Sequence, residues 1–285
     1  FYVVLPPINL KAPEFYVYTL LVCGVYGLCA VMTSGFQGDG VKGYFKFLKK
    51  QCLIPLALAI LLVVTALVGS AVGWQVFRAG SYRDLLTVEN GDFAAEVEEI
   101  SFDQIPMLDK DSAAKLGNRK LGELADMVSQ FEVADNYTQI NYKGRPVRVT
   151  TLQYGDIIKW LNNRSAGLPA YLIIDMVTQN VEVVRLEEGI RYTPAEHFGR
   201  NLYRYLRFHY PTFIFDEPAF EIDEEGCPWW VCPRIDRTIG LFGGTDITGA
   251  ALVNAVTGET AYYDVADIPT WVDHVYTADL IIQQY

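Results

Sequence analysis

The chain has 285 residues, 51% of them hydrophobic, and a formal net charge of −11. That length holds two modest domains, or a membrane part with one or two soluble modules. So much apolar sequence beside so much negative charge excludes one uniform globular domain, and the acidic balance argues against nucleic acid, whose partners carry a basic footprint.

The chain begins abruptly with the apolar FYVVLPPINL, which reads as part of a longer polypeptide. Phe15 to Gly38 and Gln51 to Phe77 then contain no charged side chain. Each is long enough to cross the roughly 30 Å hydrocarbon layer, which needs about 20 helical residues. Transmembrane helices are therefore predicted over about 15–35 and 52–77, within a membrane region 1–77. The run LIPLALAILLVVTALVGSAVGW is apolar all round and lacks the polar stripe of a core helix. A signal peptide fits less well, since no basic segment precedes the first run and a second follows closely.

Lys42, Lys46, Lys49 and Lys50 crowd the loop between the spans. Short loops rich in Lys and Arg stay cytoplasmic, so both flanks of the pair are expected outside. The phrase YFKFLKK places aromatics beside lysines, the composition of an interfacial anchor as well as of a plain basic helix end. Residues 78–285 hold 18 of the Lys and Arg and 32 of the Asp and Glu, a net charge of −14.

A connecting segment, 78–111, leads into two α+β units expected at 112–190 and 191–268. QINYKGRPVRVT from Gln139 matches EIDEEGCPWWVC from Glu221 in pattern at an offset of 82, and IDMVTQNV from Ile174 matches VNAVTGET from Val253 at an offset of 79. Two ungapped matches in one order point to a tandem repeat. In the first, KG and EEG mark tight turns with glycine able to take φ > 0. In the second, Asp175 or Asn254 can accept from the backbone two residues on and open a turn that Gly258 closes.

A helix is predicted before each sheet. In the first unit it covers SAAKLGNRKLGELADMVSQF, with Leu121, Leu124, Val128 and Phe131 as its apolar stripe, and a shorter helix follows in LQYGDIIKWLNN. In the second, Thr193 reads as N-cap, Pro194 as first helical residue and Glu196 as the far side of a capping box, with Phe198, Leu202, Tyr205 and His209 on one face. Residues 269–285 are expected to be a C-terminal helix or a linker to a further element.

Helix, hairpin, strand, Asx-x-x-Thr-Gly turn, strand resembles the PepSY-type domain, a helix-on-antiparallel-sheet fold of cystatin-like shape. The resemblance covers about Ser112 to Asp267 and is best in Asn254-Ala255-Val256-Thr257-Gly258-Glu259; the first unit departs from it with Gln179 where the family prefers Gly. It implies roles in restraining a peptidase or in envelope assembly. The fold class expected is thus transmembrane α-helices followed by tandem α+β units.

The stretch GCPWWVCP raises redox and metal chemistry, but Cys227 and Cys232 lie five apart. On an extended strand that is about 16 Å, on opposite faces, beyond disulfide reach. Trp229 and Trp230 are therefore core or interface residues. His197, His209 and His274 lack metal-ligand spacing, and the hydrolase, zincin and Walker motifs are absent. GLFGGTDITG reads as a loop, and the acidic run Asp216, Glu217, Glu221, Asp223, Glu224 and Glu225 as a solvated hairpin. No catalytic residue, cofactor or metal is assigned.

Arg200, Arg204 and Arg207 recur at helical spacing on what should be one face. They can bind an anionic envelope polymer, a lipid head group or a protein partner, or pair with nearby carboxylates. The expectation is a membrane-anchored, extracytoplasmic, non-catalytic binding or scaffold protein of a bacterial envelope, in contact with the bilayer. The alternatives are a transporter or channel component, an enzyme with a pocket around Asp175, Arg185 or His197, and a structural homo-oligomer using the Gly69/Gly73 spacing.

Overall fold

The computed structural model of the chain describes every residue except 35–39, 87–89, 98, 100 and 102–104. The predicted end of the first span and the start of the basic loop fall outside the described residues.

Two helices, α1 (Pro13–Ser34) and α2 (Gly40–Val72), pack on each other as a hairpin and are long and apolar enough to cross a membrane. Nearly all of their side chains face outward, as expected of helices surrounded by lipid and not by protein. The second span ends at Val72, five residues before its predicted end. Trp74 takes an extended conformation (φ −69°, ψ 135°) and starts a new helix, α3 (Gln75–Arg83), which buries no side chain. A single turn, α4 (Phe93–Glu96), follows, capped by Asp92.

The remainder is built on two antiparallel sheets. α5 (Lys110–Gly122) is capped by Asp109, whose side chain accepts from Ser112 N, and it buries Ala113, Gly117 and Leu121. It stops nine residues before its predicted end at Phe131, which belongs to a strand. Next come β1 (Phe131–Val133), β2 (Thr138–Tyr142), β3 (Arg145–Tyr154), α6 (Ile157–Asn163), β4 (Leu168–Asp175) and β5 (Val181–Ile190). β1 and β2 pair with opposite ends of β3, and β4 and β5 extend the sheet on its other side.

The second set is α7 (Leu202–His209), β6 (Ile214–Phe215), β7 (Ala219–Ile222), β8 (Pro228–Ile239), β9 (Gly243–Asn254) and β10 (Thr260–Asp264), closed by α8 (Ala278–Gln284). Its sheet order is the same, with β6 and β7 splitting one edge of β8 and β9 and β10 beyond it. α7 begins eight residues after the predicted start. Phe198 has φ +52° beside Gly199, which breaks the helical path, and Asn201 caps the helix by accepting from Arg204 N. Most of GLFGGTDITG is strand and not loop; only Gly240, Leu241 and Phe242 lie between β8 and β9.

Corresponding turns share their hydrogen bonds. Asp175 Oδ1 accepts from Val177 N and Thr178 N, and Asn254 Oδ1 accepts from Val256 N and Thr257 N. Gln179 at φ +60° and Gly258 at φ +80° close them. Met176 N donates to Pro146 O as Ala255 N donates to Pro228 O. Gly144 and Gly226 both take positive φ in the preceding turns, but the second turn is longer, and Glu221 faces Trp229 where Gln139 faces Arg148.

One apolar core runs through both sheets, from Leu121 and Leu172 to Phe220, Trp230 and Val253. The Tyr171 ring meets Phe220, and Phe220 meets Trp230. A smaller cluster on the outer face of the second sheet, around Val231 and Leu252, is covered by Trp271 and Val272. The C-terminal segment thus folds back as the second sheet's outer layer.

Candidate functional site

The soluble part grips the ends of the helical hairpin. The tip between β8 and β9 places Phe242 against the Tyr16 ring, 5.5 Å between centroids. Leu241 fills the space at Gly69, and a Cβ on Gly240 (φ +63°) would lie 2.8 Å from Gly73 Cα. Tyr82 Oη donates to Gly73 O at 2.8 Å and fixes the break between α2 and α3. The small residues Gly69 and Gly73 therefore receive a β-hairpin where sequence spacing pointed to a second helix.

Residues 1–12 form a strap over α7. Ile8 N donates to Pro211 O, Asn9 Nδ2 to Thr212 O, and Lys11 Nζ to both Asp236 carboxylate oxygens at 2.8 Å and to Arg237 O. The buried Arg207 donates from Nε to Leu5 O at 3.0 Å and from Nη1 to Phe213 O at 2.7 Å. Burial pushes its guanidinium pKa down, yet Nε and Nη1 are matched by carbonyl oxygens, the compensation a buried cation requires. Arg204 donates from Nε to Tyr2 O and lies 4.2 Å over the Tyr2 ring.

Arg200 stands apart, in a 3-10 turn before the helix, with Nη1 donating to Arg164 O at 2.7 Å. The expected single arginine face is therefore divided. Two of the three arginines hold the chain's own N-terminus, and none pairs with a carboxylate among the described residues.

Glu196 is not a capping residue. It is buried, with Oε1 accepting from Tyr154 Oη at 2.8 Å and Oε2 from Trp160 Nε1 at 2.7 Å. Burial, then the bond to Glu196, raises the Tyr154 pKa, which keeps the phenol protonated as a donor. Beside this knot a shallow pocket is lined by Trp160, Arg164, His197, Phe198 and Arg200.

A second concavity is the seam between the sheets. The breaks in the two split edges, at 134–137 and 216–218, line two adjoining hollows of about 340 Å³ each. Lys110, Asn136, Glu217 and Pro218 border both; Arg148 and His274 add to one, Thr193 and Tyr203 to the other. Behind it, burial pushes the Tyr137 phenol up to about 12.

Glu221 anchors one side of this seam. It is fully buried in β7 and accepts from Asp273 N at 2.9 Å and His274 N at 2.8 Å. Burial, opposed by those two bonds, moves its carboxyl up to about 7. Asp273 in turn accepts from Asn141 N in the first sheet, so the C-terminal segment ties the sheets together. The expected solvated hairpin holds for Glu224 and Glu225 but not for Glu221.

Trp230 is fully buried and donates to Tyr192 O, while Trp229 donates to Asp223 and lies under Trp271. Both tryptophans serve the chain's own packing. Cys227 is exposed, Cys232 is buried, and both are free thiols. Asp175 caps a turn near Arg145, Arg185 pairs with Asp126, and His197 meets the Trp160 ring edge-on. They do not converge, and no group of His, Cys, Asp and Glu among the described residues could hold a metal.

Sequence reasoning assigned Glu196 to a capping box and Glu221 to a solvated run, missing their buried hydrogen bonds, and it missed the Lys11 clasp. Only Glu221 left a signal, an acid flanked by apolar residues in AFEI. Comparison with known proteins finds no matching family model, curated protein or solved structure.

Proposed function

We propose that the chain is a membrane-anchored binding or scaffold protein of a bacterial envelope, with its sheets outside the cytoplasm, acting without catalysis. The observation that carries this reading is the polar seam between the sheets, held at a fixed position above the helical hairpin by the tip at Gly240–Phe242 and by the N-terminal strap. A cleft of mixed charge between two sheets suits recognition of a polar segment of a partner. The lysines of α2 and the unpaired length of apolar surface on both helices support the anchoring and its orientation.

Matching strand orders and turn hydrogen bonds support descent of the two sheets from one repeated unit, and that unit's layout is what supports the PepSY-like reading. On that reading the partner is a protein, either a peptidase to be restrained or an envelope component.

Photo-crosslinking in intact cells tests the binding role. A photoreactive residue at Asn136 or Glu217 should give discrete adducts that the same residue at Glu188, on the far edge strand, does not. Equal or absent adducts at both places would contradict a binding role for the seam.

A further inference from the structure

The strap and its surroundings leave apolar side chains exposed at the level where the two spans begin and end. Phe1 turns back beside α1, its ring 6.4 Å from that of Tyr18. Tyr18 lies five residues inside α1, about 7.5 Å along the axis at the usual helical rise. Phe208 of α7 packs edge-on against Phe1 at 5.8 Å, so α7 itself lies beside the first turns of the span. Around this contact Val3 is 84% exposed, Val4 57% and Phe208 54%.

On the other flank of the hairpin tip, Trp74 and Phe77 form an edge-on pair at 5.8 Å and are likewise exposed. Grouped apolar side chains of this kind mark an interaction surface in a soluble domain. Aromatic residues at the ends of spans are the composition of a membrane interface.

The geometry points to the bilayer itself as the occupant: we infer that the strap–α7 face and the start of α3 lie in the interfacial layer of the membrane. The soluble part then rests on lipid instead of standing off on a stalk. This rests on the proposed membrane anchoring and adds to it an orientation of the sheets. Continuity decides the occupant, because these side chains adjoin the apolar surface of α1 and α2 without a polar break at Phe1–Tyr18. The 223–227 turn is carried away from the membrane by β8, whose 12 residues span about 40 Å from tip to turn.

Spin-label depth measurements on the full chain in lipid nanodiscs test this. The background replaces Cys23, Cys29 and Cys52 by Ala and keeps the buried Cys232. Labels go on native Cys227, and, with Cys227→Ser, on Leu61→Cys, Val4→Cys, Phe208→Cys and Phe77→Cys. Expected are a deep Leu61 label, shallow interfacial labels at positions 4, 208 and 77, and a fully aqueous label at Cys227. If Leu61 is deep but positions 4, 208 and 77 read as aqueous as Cys227, the docking is overturned and the anchoring stands. If Leu61 is aqueous too, the anchoring fails and the docking with it.

Discussion

Leu241 occupies the place that a side chain on Gly69 would need: a Cβ built on Gly69 falls 2.7 Å from the Cβ of Leu241. One turn on, a Cβ on Gly73 would meet Ile239 O at 3.0 Å. The end of the second apolar helix and the tip of the longest hairpin are thus one fitted joint, and the soluble part has a defined seat.

Gly69→Val should unseat that joint, at a cost of about 1–3 kcal/mol typical of overpacking. Gly27→Val, where nothing lies within 4 Å of the glycine, should leave it intact. Limited proteolysis between β8 and β9 in detergent reads the difference, with faster cleavage expected only in the first variant.

Glu221 predicts a pH dependence of stability. Its carboxyl rises on folding from its ordinary 4.5 to about 7, so between those values the folded chain binds more protons than the unfolded one. Stability should be greatest at the acid end of that window and fall as pH rises through it, by on the order of 3 kcal/mol, with no further change from this group above it. Glu221→Gln should flatten the slope between pH 5 and 7.5, while losing about 1 kcal/mol at the acid end because an amide accepts from only one of the two N–H groups. Denaturant unfolding of both proteins across that range measures the difference.

Glu196→Ala should destabilise by about 2–4 kcal/mol, since it strands the Tyr154 hydroxyl and the Trp160 indole in a buried setting. Glu196→Gln keeps one acceptor and should cost less. A double-mutant cycle with Tyr154→Phe should show coupling, because the lone hydroxyl is removed together with its partner.

Arg207→Ala removes the guanidinium that joins Leu5 O to Phe213 O. The strap should loosen, with hydrogen exchange at Ile8 N and the Lys11 segment rising at least tenfold and the sheets unaffected. Lys in its place should restore little, because one ammonium cannot span both carbonyls with the geometry of the fork.

The spans, the two sheets and the turns at Asp175 and Asn254 were legible because each rests on a local rule: apolar length, strand composition, or a side chain bonding its own backbone. The start of α7 was not. Thr193, Pro194 and Glu196 satisfy a capping pattern, but Phe198 in the left-handed region breaks the path, and Glu196 is drawn instead to Tyr154 and Trp160, some 40 residues earlier in the chain. The same holds for Arg204 and Arg207, whose partners Tyr2 and Leu5 lie about 200 residues away. Long-range carbonyl acceptors leave no trace in local spacing, and neither does a glycine pair that fits a hairpin tip in place of a helix.

The sidedness of the sheets bears most directly on the account, and Cys227 reads it. It is exposed beside the end of β8 opposite the Gly240–Phe242 tip, whereas Cys232 is buried and burial raises its thiol pKa. Burial and the nearby Asp223 and Glu225 also raise the Cys227 pKa, so labelling with a membrane-impermeant maleimide should be slow at pH 7 and faster toward pH 8.5. In intact cells the account predicts labelling that Cys227→Ser abolishes. Protection of Cys227 in intact cells, relieved only by permeabilisation, would put the sheets in the cytoplasm and contradict it.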